Sequence, residues 1–251
     1  MGKYPVEGIL YNGELVKIPN STIAWLRSYG IDAGYDEEFD LLSIEYNGTK
    51  LTFSGAITNG ELPEVFFEED YGSVDYSGKT VIDIGANIGD SSIYFVLNGA
   101  RKVISFEPFP NSFKLLKKNI FLNNMQESIF PFMAALGKED GKIKLDSSPI
   151  TTTGLSIRES TEGEYVEIFS FKRLTELYAE NNSILKLDCE GCEYDVFKNS
   201  PEQFLEKYDE IIIEYHNGDG PILSKLSKNW NITIKPKSSK IGIIMARKGK
   251  R

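Results

Sequence analysis

Short apolar strands alternate with amphipathic helices from Thr80 onward, and this rhythm predicts an α/β domain. Three observations carry the prediction. The runs "TVIDIGA", "KVISFEP" and "SILKLD" are brief and apolar, as strands buried on both faces should be. Segments with helical periodicity separate them. Each run ends in glycine, proline or a carboxylate rather than continuing. A mostly parallel sheet covered by helices on both faces is the architecture that follows.

Before Thr80 the signals are mixed. Ser21 is placed to cap a short helix, "TIAWLRSYG", that Gly30 would close. Next, "LLSIEYNGTKLTF" alternates on both sides of Asn47-Gly48, a dipeptide that readily takes positive φ, so a β-hairpin is predicted. We read residues 1–75 as an N-terminal cap and 76–251 as the main unit.

After the first strand, "SSIYFVLNG" reads as a helix ending near Gly99, and "KVISFEP" as a strand stopped by Pro108. "PNSFKLLKKNIFLNN" puts Phe113, Leu116 and Ile120 on one helical face. "IFPFMAAL" is the third strand. Between Gly137 and Tyr178 the alternation pauses for "KIKLD" and "YVEIFSF", a hairpin insertion around the Ser/Thr-rich "SSPITTTGLS". It resumes with "SILKLD", a helix from about Glu193, the strand "EIIIEYH" and a helix near "PILSKLSKN". An antiparallel pair, "NITIKP" and "IGIIMAR", closes the chain.

Composition narrows the function. Length 251 suits one large domain, and 41% hydrophobic with 26% charged residues is ordinary for a globular protein. A net charge of −9 argues against recognition of nucleic acid through phosphates, and the one basic cluster is the tail "ARKGKR". No apolar run approaches the roughly 20 residues of a bilayer span. No signal peptide is visible, and Val6 stands where myristoylation needs Ser or Thr. Two cysteines make no disulfide framework. The expectation is a cytoplasmic protein with no membrane partner.

The stretch "VIDIGANIGDSS" is the most informative. Ligands of open α/β sheets bind beyond the carboxyl ends of the strands. Gly85 and Gly89 bracket the strand-to-helix turn, where a missing Cβ lets a ligand near the backbone. The spacing is not G-x-G-x-x-G, Asp90 would repel a pyrophosphate, and no P-loop occurs. Asp83 before the loop suits a positive amino group instead. Glu107 ends the next strand 24 residues later and can accept hydrogen bonds from both ribose hydroxyls. An amino group, a carboxylate and a ribose describe S-adenosylmethionine better than NAD.

"VIDIGANIGDSS", "ISFEPFPNSFKLLKKNI", "FMAALGKEDG" and "LKLDCEGCEYDVF" occur in the order seen in the FkbM family of S-adenosylmethionine-dependent methyltransferases, which the chain resembles over about residues 64 to 215. The resemblance implies a Rossmann-like class I methyltransferase fold with a seven-stranded sheet. It also implies methyl transfer, usually to a hydroxyl of a sugar, polyketide or related small molecule. Carried over, Asp83, Gly85, Asn87 and Gly89 would lie against the methionine part, with Ala86 and Ser91 in the same segment. Glu107, followed by Pro108, would hold the ribose, and Ala134 and Ala135 would lie by the adenine. Many class I enzymes have an acid or amide there, so backbone and apolar contacts would hold the base.

In "KLDCEGCEYDVF", Cys189 and Cys192 could be a redox dithiol, half of a zinc site, or packing residues. Neighbouring Glu190 and Glu193 oppose thiolates, and two thiols with a distant His216 make a poor zinc set, so we read them as packing residues. No metal is expected, although Asp188, Glu190, Glu214 and His216 have oxygen and nitrogen ligands that suit Mg²⁺. Asp188, Glu190 and His216 are the catalytic candidates. His216 is either a proton acceptor or a strand-end cap. Three rivals remain. An RNA methyltransferase would carry an Asn/Asp-Pro-Pro-aromatic motif where "DCEG" stands. An NAD-dependent oxidoreductase fails at the glycine spacing. A non-catalytic cofactor-binding module would keep only the pocket. A small hydroxylated acceptor would be chosen by "SSPITTTGLS" and the N-terminal cap.

Overall fold

The computed structural model describes residues 6–9, 15–18, 20–57, 61–68, 70–146, 157–226 and 229–249. The segment "SSPITTTGLS" lies outside these residues. The chain begins with a hairpin, β1 (Val6–Ile9) and β2 (Leu15–Ile18), followed by helix α1 (Ser21–Ser28). Asn20, not Ser21, caps α1. Its Oδ1 accepts from the Ile23 N–H at 2.9 Å, and Ser21 is already the first helical residue. Strands β3 (Gly34–Asp36), β4 (Leu41–Tyr46) and β5 (Thr49–Ser54) form an antiparallel sheet, followed by helix α2 (Leu62–Phe66). The expected hairpin is β4–β5, turning at Asn47 (φ 49) and Gly48 (φ 74).

The main unit runs β6 (Thr80–Ile84), α3 (Asp90–Leu97), β7 (Lys102–Phe106), α4 (Pro110–Leu122), β8 (Ile129–Phe132) and β9 (Ala134–Gly137). It continues with β10 (Gly141–Leu145), β11 (Glu164–Ser170), α5 (Phe171–Tyr178) and β12 (Ser183–Leu187). The last elements are α6 (Cys192–Asn199), α7 (Glu202–Leu205), β13 (Tyr208–Tyr215), α8 (Gly220–Leu226), β14 (Trp230–Pro236) and β15 (Gly242–Lys248).

The central sheet has seven strands in the order β14-β15-β13-β12-β6-β7-β8. Its neighbours pair in parallel except around β15, which runs against both β13 and β14. Connections leave β6 toward β7 on one side, while β12 lies on the other. The crevice beyond the ends of β6, β7 and β12 is therefore the topological switch point.

"IFPFMAAL" is not one strand. It breaks at Met133, so that β8 stays on the edge of the main sheet while β9 turns away to pair in parallel with β11. Pro131, which has no N–H to give, is tolerated because β8 is an edge strand. Helix α5 falls in the stretch where the alternation was expected to pause, capped by Ser170 Oγ on the Arg173 N–H at 3.2 Å.

Side chains alternate across the central strands, which separates two cores. Val81, Val103, Ile184 and Ile212 face a cluster that contains Ile23, Leu26, Phe53, Phe66 and Phe95, so the N-terminal elements and α3 cover that face. Ile82, Ile104, Leu185 and Ile211 face the other cluster, with Phe171, Leu174, Val196 and Leu226 from α5, α6 and α8.

Helix α4 locks the N-terminal sheet to this layer. Asn119 is fully buried; its Oδ1 accepts from Ser54 N–H at 2.7 Å, and its Nδ2 donates to Ser54 O at 3.1 Å and Ile88 O at 2.8 Å. One turn on, Asn123 makes the same pair of bonds with Thr52, at 3.0 and 2.8 Å. The match is geometric, since four helical residues advance about 6 Å and two strand residues about 6.7 Å. Asn119→Ala strands three buried backbone groups, and a loss of about 2–4 kcal/mol of stability is expected in urea unfolding.

Candidate active site

A cavity opens at the switch point, between the ends of β6, β7 and β12 and under the N-terminal residues Glu61, Val65 and Tyr71. Of the sequence-predicted residues, Gly85, Asn87, Ser91, Glu107, Pro108, Asp188 and Glu190 line it. Asp83, Ala86, Gly89, Ala134, Ala135 and His216 are not among its lining residues.

Glu107 is the best-placed carboxylate. It is buried at the end of β7, with Oε1 accepting from Phe109 N–H at 2.9 Å and Oε2 from Asn87 N–H at 2.8 Å. Each oxygen keeps a lone pair for a further donor. Burial pushes its pKa up to about 7, against the pull of the two backbone N–H groups. Asn87 reaches it by taking φ 46, a conformation asparagine tolerates better than most residues.

Asp83 does something other than expected. It is fully buried in mid-sheet, directly opposite Lys186 on β12 and Ser105 on β7. Its Oδ2 accepts from Ser91 Oγ at 2.8 Å and Ser92 Oγ at 2.6 Å, and its Oδ1 pairs with Lys186 Nζ at 3.2 Å. The carboxylate is thus engaged by the protein itself. Lys186 in turn donates to Gly85 O at 2.8 Å and lies 3.5 Å from Asp188 Oδ2. Burial opposes its charge, but Asp83 and Asp188 outweigh this and hold it protonated. The signal for Lys186 was present in sequence: a lysine interrupting an otherwise apolar strand, "SILKL".

The glycines are also required by the packing of the loop itself. A Cβ on Gly85 (φ +77) would stand 1.7 Å from Asp188 O, and one on Gly89 (φ +93) would stand 2.7 Å from Leu116 Cδ1. Their role is to let the loop meet the end of β12 and helix α4. Ala86 is buried within the core on the α3 side. Ala134 and Ala135 are buried on β9, which has left the main sheet, so they lie outside the cavity wall. The apolar wall is instead formed by Pro108, Phe109 and Ile157.

Acidic groups dominate the opening. Glu61 donates its N–H to Asp90 Oδ2 at 3.0 Å. Burial, with Asp188 and Asp90 nearby, pushes Glu61 up to about 9, and burial pushes Asp90 up to about 6. Glu61 had no sequence signal, because tertiary folding brings it over the cavity.

A family model described as the methyltransferase FkbM domain matches residues 83–229. The chain belongs to the FkbM methyltransferase family. The curated relatives are distant. Methyltransferase 1 of Beauveria bassiana (strain ARSEF 2860) is 23% identical over 183 residues, spanning 62% of this chain and 73% of that protein. Methyltransferase sdnD of Sordaria araneosa is 24% identical over 186 residues, spanning 60% and 72%. The crystal structure of Methyltransferase FkbM from Methylobacillus flagellatus KT superposes with a TM-score of 0.51 at 14% identity, which shows a shared fold. The match covers 75% of this chain and 48% of that one, so this chain spans about half the length of that FkbM protein.

In this FkbM chain the loop after β12 carries the remaining candidates. His216, at the end of β13, lies among three carboxylates. Its Nε2 is 3.8 Å from Asp188 Oδ1 and 3.6 Å from Glu190 Oε1, and its Nδ1 is 3.2 Å from Glu193 Oε1. Burial disfavours its charge, but Glu193, Asp188 and Glu190 prevail and raise its pKa to about 9. At neutral pH it is an imidazolium, so it is not the free base that its ordinary value suggests. A raised pKa adds stability that is complete below about 6.5 and disappears as pH climbs through about 9. His216→Gln should therefore cost roughly 1–3 kcal/mol at pH 7 and little at pH 10, measured by urea unfolding at both values.

Cys189 and Cys192, expected only to pack, are joined in a disulfide with Cα atoms 5.5 Å apart, and they also pack on the core that α6 covers. Among the described residues, no helix is long and apolar enough to cross a membrane.

Proposed function

We propose that this chain uses S-adenosylmethionine to methylate a hydroxyl group on a small molecule such as a sugar or polyketide. The observation that carries this is Glu107: a buried carboxylate at the end of β7, pinned by two backbone N–H groups, with free lone pairs over a cavity. A ribose diol has two donors of matching spacing. The residues fit the cofactor in a second respect, because a carboxylate-rich cavity suits a ligand bearing a net positive charge.

Bound there, S-adenosylmethionine would supply a methyl group activated on a sulfonium. The chain's own residues would do the rest. Glu107 would hold the ribose, and Phe109 and Ile157 would flank the adenine. Lys186 fixes the loop through Gly85 O and turns Asp188 toward the cavity. Asp188 and Glu190 offer oxygens to take the acceptor hydroxyl's proton. His216, charged between them, holds both carboxylates in position. Alignment alone supplies much of such a rate, about 7–11 kcal/mol in well-oriented systems.

Asp90, Asp188 and Glu190 around the opening repel phosphate, which supports a small neutral or cationic acceptor over RNA. Thermal shift with S-adenosylhomocysteine and with NADH tests the cofactor. Stabilisation by the first alone is expected, and stabilisation by NADH alone would reject the reading. Labelled cofactor with a panel of sugars, lipids and polyketides then identifies the acceptor.

A further inference from the structure

The turn after β12 and the first residues of α6 bring together two sulfurs and a carboxylate, and the function proposed above does not use them as a set. The ligating atoms of Cys189, Cys192 and Glu193 lie within 4.8 Å of one another. We propose that, when the disulfide is reduced, this chain binds one zinc ion at Cys189, Cys192 and Glu193.

Geometry supports it. In a tetrahedral zinc site with bonds of about 2.0–2.3 Å, ligand atoms stand about 3.3–3.8 Å apart. Cys189 Sγ is already 3.3 Å from Glu193 Oε2. The two sulfurs must part, and Cα atoms 5.5 Å apart allow that by side-chain rotation. The carboxylate is pre-oriented. Glu193 is fully buried, its Oε2 accepts from Gly191 N–H at 2.9 Å, and its Oε1 meets His216 Nδ1 at 3.2 Å. Partners of this kind fix a ligand's orientation around a metal. His216 is therefore nearby through Glu193, although it stands 23 residues from it in the chain.

Chemistry selects the ion. Two soft sulfurs favour zinc over magnesium or calcium. The balance is complete: an external dithiol or phosphine gives two electrons to the S–S bond and is itself oxidised. The two thiols formed then each release a proton as they ligate Zn²⁺. Two thiolates and one carboxylate leave a single negative charge, which His216 offsets, and water takes the fourth position.

The test uses the full chain, reduced with a phosphine and titrated with Co²⁺ as a spectroscopic probe. One Co²⁺ per chain with thiolate-to-metal charge-transfer absorption is expected, displaced by Zn²⁺ and missing in the oxidised protein. Cys192→Ser should abolish the band, and His216→Ala should weaken binding about 10–100-fold. No charge-transfer band in the reduced protein overturns the proposal. So does a band that persists in Cys192→Ser, or cobalt bound without sulfur ligation in the acidic cavity. None of these outcomes depends on binding of S-adenosylhomocysteine, so the cofactor reading stands or falls separately.

Discussion

Glu107→Ala is expected to raise the dissociation constant for S-adenosylhomocysteine by at least about 100-fold, because two charge-assisted hydrogen bonds are worth about 1.5–3 kcal/mol each and about 1.4 kcal/mol is tenfold. Isothermal titration measures it, and circular dichroism checks that the fold persists. Glutamine is no substitute at this site. Its amide would point N–H₂ at one of the two backbone donors, Asn87 or Phe109, that now hold the carboxylate. The same residue sets a pH dependence. Burial raises Glu107 from 4.5 to about 7, so ionising it costs folding stability across that window in the free protein. Ribose hydroxyls donate better to the ionised form, so affinity should rise between pH 6 and pH 8. An affinity flat across that range in the wild type would separate Glu107 from the ribose.

Lys186→Met should destabilise the protein by about 3–5 kcal/mol, the usual cost of stripping one partner from a buried ion pair. The lysine is almost wholly buried, and its removal leaves Asp83 without its cation at the centre of the sheet. Asp83→Ala should be comparably damaging, since it strands the lysine. Removing both charges together, as Asp83→Leu with Lys186→Met, should cost less than the two single changes added, because no charge is then left unpaired. Urea midpoints of the three variants decide this. If Asp83→Ala instead kept full stability and lost only cofactor binding, direct contact between Asp83 and a ligand would be restored.

These two predictions mark where sequence was informative and where it was not. The parallel sheet, the Asn47-Gly48 turn and the terminal antiparallel pair were legible because each depends on local pattern. Glu107 was legible because a carboxylate at a strand's end has one obvious direction to face. The internal partners of Asp83 were hidden for the opposite reason. Asp83 lies one residue inside the strand end, and only the register of β6 against β12 shows that Lys186 stands opposite. Ala134 and Ala135 were placed at the base because a single strand was drawn through Met133, where the chain in fact changes sheets. His216 was judged by its ordinary pKa, but three carboxylates from the β12–α6 turn change its charge state. Glu61 and Tyr71 illustrate a deeper limit, since nothing near them in the chain marks residues that folding draws over a distant crevice.

The paired asparagines of α4 have one more consequence. By offering amides in the rhythm of a neighbouring strand, Asn119 and Asn123 act as a counterfeit partner for the outer rim of β5. A foreign chain seeking to extend that small sheet finds its template already occupied at Thr52 and Ser54. Growth by strand recruitment is thereby shut off on that side, using side chains alone.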